Sequence, residues 1–439
     1  MNNTERMELA KWATSFAKKK GATEASVSIS RSRSVQVEVR EQKIETIRES
    51  TENGLSLQIY RDNKFSGHNT NNLNKRELER FISEAVEATK YLSPDEDRYL
   101  TDPSLYPTDI SKDLGLNDPK HGEITPEFRV QRAMETEQVA RQGHPDILSA
   151  TARFNDSQSE NVRVYSNGFE GQQSGTYFGT SASVTIRDGQ SRPAGSFWAG
   201  NRFLNNLPSA NRVGNQAVED TIKQLGQTKI ASGQYTMIVE NRIAGNLLWR
   251  LFQPMSARAI QQKSSFLDGM LDKTIASEHL TIIDDPLIVG GLASRLFDHE
   301  GIAAQKRVMV DKGVLKAYYI DNYYGRKLNM TPNGGSTSNI LLANGSRSPE
   351  QIIASMDRAL LVTSFNGGNA NSTTGDFSFG ISGLLIEKGK VVKPVNEMNI
   401  TGNAKVLWHN LTETANDPYP YSSLQSPTMV FEGVDFSGL

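Results

Sequence analysis

Apolar residues open the chain at helical spacing. Met7, Leu9, Trp12, Ala13 and Phe16 share one face, and Lys18–Lys20 with Gly21 supply a stop. The period then changes to two. Ala25–Ile29, Val35–Val39, Ile44–Ile47 and Leu55–Tyr60 alternate apolar with polar residues. Arg61-Asp62-Asn63-Lys64 reads as a turn and Phe65–His68 as a returning strand, so the pattern predicts an antiparallel meander. Residues 74–92 return to helical spacing, with Asn74 as N-cap and Leu78, Phe81, Ile82, Ala85, Val86 and Ala88 on the buried side. A polar, proline-marked stretch covers 93–124. Thr125-Pro126-Glu127 then opens a further helix, which ends near Gly143-His144-Pro145.

From 147 to 203 the alternation is again that of strands. Asn155-Asp156-Ser157, Ser166-Asn167-Gly168 and Asp188-Gly189 each carry turn composition. Val213–Leu225 predicts a helix and Gly226–Gly233 a linker, which divides the chain into domains at 1–225 and 226–439. The second half opens with a strand at Tyr235–Glu240 and a helix at Arg242–Phe252, then turns strand-rich and glycine-rich. The expected class is α+β. It comprises an N-terminal layered α/β domain of antiparallel strands with flanking helices, and a mainly antiparallel, barrel-like β domain at the C-terminus.

Charge narrows the function little: 48 Lys and Arg nearly cancel 50 Asp and Glu, so bulk charge gives no pull toward nucleic acid or an anionic membrane. No stretch reaches the ~20 apolar residues of a membrane span. No apolar run follows the N-terminal Met-Asn-Asn-Thr-Glu-Arg-Met, so the cytoplasm is the expected compartment. The absence of cysteine excludes disulfides, iron–sulfur clusters, thiolate zinc sites and a thiol nucleophile.

Motif chemistry is sparse. His299-Glu300 would need a second histidine one helical turn on, but both Ala303 and Ala304 are alanine. The inverted arrangement at Glu278-His279 meets Ile275. No phosphate loop or G-x-S-x-G elbow occurs. Gly334-Gly335 and Gly367-Gly368 read as hairpin turns. Asp284-Asp285, Asp298, Glu300 and Asp311 could hold a hard cation through oxygen or serve as turn and cap residues; their spacing matches no known loop. Lys306-Arg307, Arg326-Lys327 and Arg347 with Tyr318, Tyr319, Tyr323 and Tyr324 could suggest a nucleic-acid platform. The alternation of Val308, Val310, Leu315 and Ala317 argues instead for packed strands.

An ordered series of short motifs is more specific. Ile282-Ile283-Asp284-Asp285-Pro286 precedes Phe297-Asp298-His299-Glu300-Gly301 and Arg307-Val308-Met309-Val310-Asp311-Lys312-Gly313. Tyr324-Gly325-Arg326-Lys327-Leu328, Ser338-Asn339-Ile340, Thr374-Gly375-Asp376-Phe377-Ser378, Leu385–Lys390 and Thr401-Gly402-Asn403 follow. This series resembles the TldD/PmbA family over most of 235–439, and more weakly over Glu45–Asn69. The resemblance implies a cytoplasmic zinc metallopeptidase built as a heterodimer that trims unfolded or modified peptides, in peptide maturation and antitoxin degradation. Older naming makes the family a modulator of DNA gyrase. TldD-type subunits carry H-E-x-x-x-H and a C-terminal cysteine ligand; PmbA-type subunits, also called TldE, lack the metal site.

Placed on this chain, the motif slots fall near Trp249, Arg250 and Pro254, and the cysteine slot within Asp417–Ser426. None holds a zinc ligand. The resemblance therefore implies a non-catalytic PmbA/TldE-like subunit with no metal of its own, zinc being held by a TldD-like partner. It also implies peptide substrates, and a homodimer when that partner is absent. The run Phe377–Ile386, with Asp376, Phe377, Ser378 and Gly380, is a candidate peptide-binding strand by β-augmentation, or else an interior barrel strand. Two alternatives stay open: an independent hydrolase with a divergent site at Asp298, His299 and Glu300, and a gyrase- or DNA-associated binding protein.

Overall fold

A computed structural model describes all of residues 1–439. Helix α1 (Asn3–Lys19) starts at a capping box in which Asn2 and Glu5 satisfy each other's backbone N–H groups. Strands β1 (Glu24–Arg40), β2 (Lys43–Arg61) and β3 (Lys64–Thr70) follow, then helices α2 (Lys75–Thr89) and α3 (Pro126–Gln142). Strands β4 (Ile147–Tyr165), β5 (Glu170–Ile186) and β6 (Ala194–Asn201) and helix α4 (Ala210–Ile222) complete the first half. The six strands form one antiparallel sheet in the order β3-β2-β1-β4-β5-β6.

Two expectations are corrected here. The four short alternating runs are two long strands, because β1 carries two apolar patches on one face. Ala25, Val27 and Ile29 pack under α1 and α2, whereas Val37 and Val39 pack under α3 and α4. Between them Arg31 meets Glu160, which also pairs with Arg6 of α1. Asn155-Asp156-Ser157 is not a turn either. It lies inside β4, laddered to β1 on one side and β5 on the other. The helices cover only one face of the sheet. The opposite face carries Ser26, Ser28, Asn161 and Arg163, and the loop around His299 packs against part of it.

The second half contains β7 (Gly233–Val239), α5 (Gly245–Phe252), α6 (Ala257–Gln261), β8 (Ile282–Asp284), β9 (Arg307–Asp311), β10 (Val314–Leu315), α7 (Asn322–Leu328), β11 (Ile340–Leu342) and α8 (Pro349–Ala354). It ends with β12 (Arg358–Ala370), β13 (Asp376–Glu387), β14 (Lys390–Asn403), α9 (Ala404–His409), β15 (Leu411–Thr414), β16 (Leu424–Gln425) and β17 (Met429–Ser437). The order β14-β13-β12-β7-β17 closes on itself through a β14–β17 pairing, giving a five-stranded barrel. All its pairings are antiparallel except β7 with β12. The class is thus α+β, as the alternation predicts. A smaller sheet, β10-β9-β8-β11-β16, packs beside the barrel, and both share the largest apolar core, which includes Leu248 and Leu251 of α5.

Gly367-Gly368 is corrected from a hairpin turn to a bulge. Both glycines lie within β12 at φ 85° and 127°, where the register against β13 slips between Phe365 and Gly368. The β12–β13 connection is made further on, at Asn371–Gly375. No helix is long and apolar enough to cross a membrane.

Candidate functional site

Helix α5 occupies the position where the resemblance expects a metal-binding helix. Leu247, Leu248, Leu251 and Phe252 bury its inner face in the barrel core. Trp249 and Arg250 are exposed on the outer side, and Pro254 follows the last turn. Asn241, just before α5, donates a 2.6 Å hydrogen bond to the carbonyl of Asp417, and Leu424 lies near Gly245, so the Asp417–Ser426 segment touches the start of this helix. The chemistry of the expected slots does not fit zinc. An indole N–H and a guanidinium offer no lone pair, proline has no polar side-chain atom, and the segment has no thiol. Nowhere do three or more His, Cys, Asp or Glu side chains converge into a set that could hold a metal ion.

A small recess beside α5 is lined by Leu247, Arg250, Phe377, Phe379 and Trp408. Phe377 and Phe379 stack at 5.4 Å between centroids, and the Arg250 guanidinium lies 5.8 Å from the Phe379 ring. Strand β13, which carries the candidate peptide contacts, is hydrogen-bonded along both edges, to β12 and to β14. Strand addition at β13 is thus corrected: it has no free edge to offer. Its four named residues also divide between faces. Phe377 points into the core, whereas Asp376 and Ser378 are exposed and Gly380 is half-buried. Hydrogen bonds from Asn403 and Thr374 hold the Asp376 carboxyl below the usual range and tie it to the β12–β13 connection.

The Asp298-His299-Glu300 cluster is a tight turn rather than a convergent triad. Asp298 Oδ1 accepts the backbone N–H groups of Glu300 (2.8 Å) and Ile302 (3.0 Å). The His299 side chain faces solvent, while its carbonyl accepts from Arg163 and from the Tyr165 hydroxyl. The Glu300 carboxylate turns inward and accepts the Asn322 N–H at the start of α7 (2.8 Å). Burial, reinforced by the charges of Asp298 and Asp321, pushes its pKa up to about 8. Imidazole and carboxyl therefore point into different surroundings.

The remaining carboxylates are engaged separately. Asp284 is buried against Arg307 (2.9 Å) and Ser338, Asp285 faces Lys306, and Asp311 is exposed in the β9–β10 hairpin. The basic spots are likewise absorbed internally: Arg347 pairs with Glu413, Lys327 with Asp95 and Asp97, and Arg326 donates to three backbone carbonyls. Tyr318 and Tyr319 are buried, so no aromatic platform forms.

Comparisons with known proteins agree with this architecture. Three family models match in succession: PmbA/TldA metallopeptidase domain 1 over residues 25–89, the central domain over 119–225 and the C-terminal domain over 232–438. A metalloprotease PmbA of Escherichia coli O157:H7 is 27% identical, covering 94% of this chain and 92% of its own. A metalloprotease TldD homolog of Buchnera aphidicola is also 27% identical, but over 54% of each chain. A solved structure from Bacteroides thetaiotaomicron, described as a candidate modulator of DNA gyrase, superimposes with a TM-score of 0.97 at 40% identity, covering both chains completely.

Proposed function

This chain belongs to the PmbA/TldD metallopeptidase family, and from that premise we propose that it is the non-catalytic, PmbA/TldE-type subunit of a heterodimeric zinc peptidase. The observation that carries the reading is the donor set at α5. Trp249, Arg250 and Pro254 stand where ligands are expected, beside an Asp417–Ser426 segment without cysteine. A site with no imidazole, thiolate or carboxylate pair offers a zinc ion nothing to bind. Alignment with a PmbA-type relative over nearly the whole chain, against about half for a TldD-type one, supports the same assignment.

In this reading a TldD-like partner holds the zinc. This chain completes the enclosing surface, positions an extended peptide and stabilises the active subunit. The substrates are unfolded or modified peptides, processed in the cytoplasm during peptide maturation or antitoxin degradation. The outward side chains of β13, Asp376 and Ser378, are offered as peptide contacts. The two domains divide at 225/226, and the isolated chain pairs with itself.

The test is elemental analysis of the untagged chain beside a peptidase assay with and without an H-E-x-x-x-H subunit. We expect no stoichiometric zinc, and hydrolysis only in the mixture. About one zinc per chain with full activity alone would overturn the proposal.

A further inference from the structure

A second cavity shares no lining residue with the recess beside α5 and lies between the open face of the N-terminal sheet and the loop preceding His299. It has a volume of about 470 Å³, and Phe297 is the only apolar residue among those lining it. Four arginines line it: Arg31 on β1, which pairs with Glu160, and three more from distant parts of the chain, Arg163 on β4, Arg202 just after β6 and Arg295 in the C-terminal half. Of these, Arg163, Arg202 and Arg295 have no carboxylate within ion-pair distance. Arg163 donates to Asn161 and to the His299 carbonyl (3.0 and 2.6 Å). Arg202 donates to the carbonyls of Gly291, Leu292 and Thr176 (2.8, 2.7 and 3.2 Å). Arg295 donates to the carbonyls of Thr337 and Ser336 (both 2.9 Å). These bonds fix the guanidinium groups without neutralising them, and each keeps unused N–H donors from its set of five.

The two acids lining the cavity do not balance its four arginines. Glu160 is held by Arg6 and Arg31. Asp298 accepts two backbone N–H groups with Oδ1 and keeps its charge, its Oδ2 being buried without a hydrogen-bond partner, so the excess is still positive. Burial pulls the pKa of Arg202 and Arg295 below the usual arginine value; Arg202 has no compensating charge, and the charges of Asp284 and Asp298 offset the burial of Arg295 only in part. Such an arrangement is costly unless an anion completes it, and the planar guanidinium fork suits a carboxylate in bidentate geometry.

We propose that this cavity binds a carboxylate-rich segment of polypeptide. The proposal rests on the peptide-positioning role above and specifies it: acidic stretches of the peptide sit against the N-terminal sheet. The walls suit an extended chain, since Ser30, Asn161 and Gln173 present side-chain hydrogen-bonding groups along neighbouring strands. They suit nucleic acid poorly, because Phe297 is buried and the His299 imidazole is the one exposed ring, too few to stack successive bases.

The test uses the full chain alone and fluorescence anisotropy of three labelled decapeptides: Glu-rich, uncharged and Lys-rich. We expect the Glu-rich peptide to bind at least about tenfold more tightly than the others, with affinity falling as salt rises. Arg163→Gln should weaken it about tenfold. Ser30→Glu, at an exposed position that makes no side-chain hydrogen bond, should weaken it similarly without touching any arginine. Equal binding of all three peptides, no binding of any, or retention of full affinity in Ser30→Glu would overturn the proposal. So would displacement of the Glu-rich peptide by a single-stranded oligonucleotide of higher affinity. The readout needs no partner subunit, so it stands or falls separately from the zinc-peptidase assay.

Discussion

Arg129 of α3 and Asp156 of β4 form a buried two-point ion pair, with Nε 2.5 Å from Oδ2 and Nη2 3.0 Å from Oδ1. Both side chains are almost fully buried. The pair locks helix to strand where β4 carries turn-like composition. Removing one partner leaves the other charge stranded. Asp156→Ala should therefore cost about 3–5 kcal/mol of stability, read as a lower urea midpoint. A loss below about 1 kcal/mol would mean that the pair is not what holds α3 to the sheet.

Glu300 makes stability depend on pH in a predictable sense. Its carboxyl has an ordinary value of 4.5 in the unfolded chain and about 8 when folded, chiefly through burial. Between these values the folded state binds more protons than the unfolded one, so this group's contribution falls as pH rises from about 4.5 through 8. Glu300→Gln keeps an acceptor for the Asn322 N–H and removes the titration. It should gain on the order of 1–4 kcal/mol over the parent at pH 8.5 and nothing at pH 4.5. Urea midpoints at three pH values check this; parallel curves for parent and variant would refute it.

Adjacent glycines of the β12 bulge should respond differently to alanine. Gly368 sits at φ 127°, and an added Cβ would collide with the Ser378 carbonyl oxygen of the neighbouring strand. Gly367, at φ 85°, faces open space. Gly368→Ala should cost on the order of 2–4 kcal/mol, and Gly367→Ala about 1–2 kcal/mol from backbone strain alone. Thermal unfolding of the two variants side by side decides the matter. Equal losses would show that the bulge yields.

The two corrected elements of the N-terminal sheet share one physical cause. Alternation reports which residues meet an apolar core, and it fell silent wherever the sheet's inner face passes between two cores. There Arg31, Glu160 and Arg6 satisfy one another, and polar residues look like a turn. Asp156 misleads in the same way because its partner Arg129 lies 27 residues away on α3, and the sequence does not show that the two meet. The reading of the α5 slots rests on side-chain chemistry alone, since Trp249, Arg250 and Pro254 are not zinc ligands in any fold. The Arg163, Arg202 and Arg295 cluster was not legible. Each is an isolated residue in its own segment, and only the packing of the loop before His299 onto the sheet joins them.

The α5 donor set also predicts how the chain answers to metal. A ligand at one hundred times its Kd stabilises the folded state by about 2.7 kcal/mol, which for domains of this size raises Tm by roughly 5–10 °C. Zinc has no such purchase on Trp249, Arg250 and Pro254. The Tm of the isolated chain should therefore stay within about 1 °C between excess EDTA and added zinc. In the mixture with an H-E-x-x-x-H subunit, the same EDTA should abolish peptidase activity, and zinc should restore it. A zinc-dependent rise in the Tm of the isolated chain would place a metal site within it. The Arg250→Ala variant, which removes no donor, should leave the flat response unchanged.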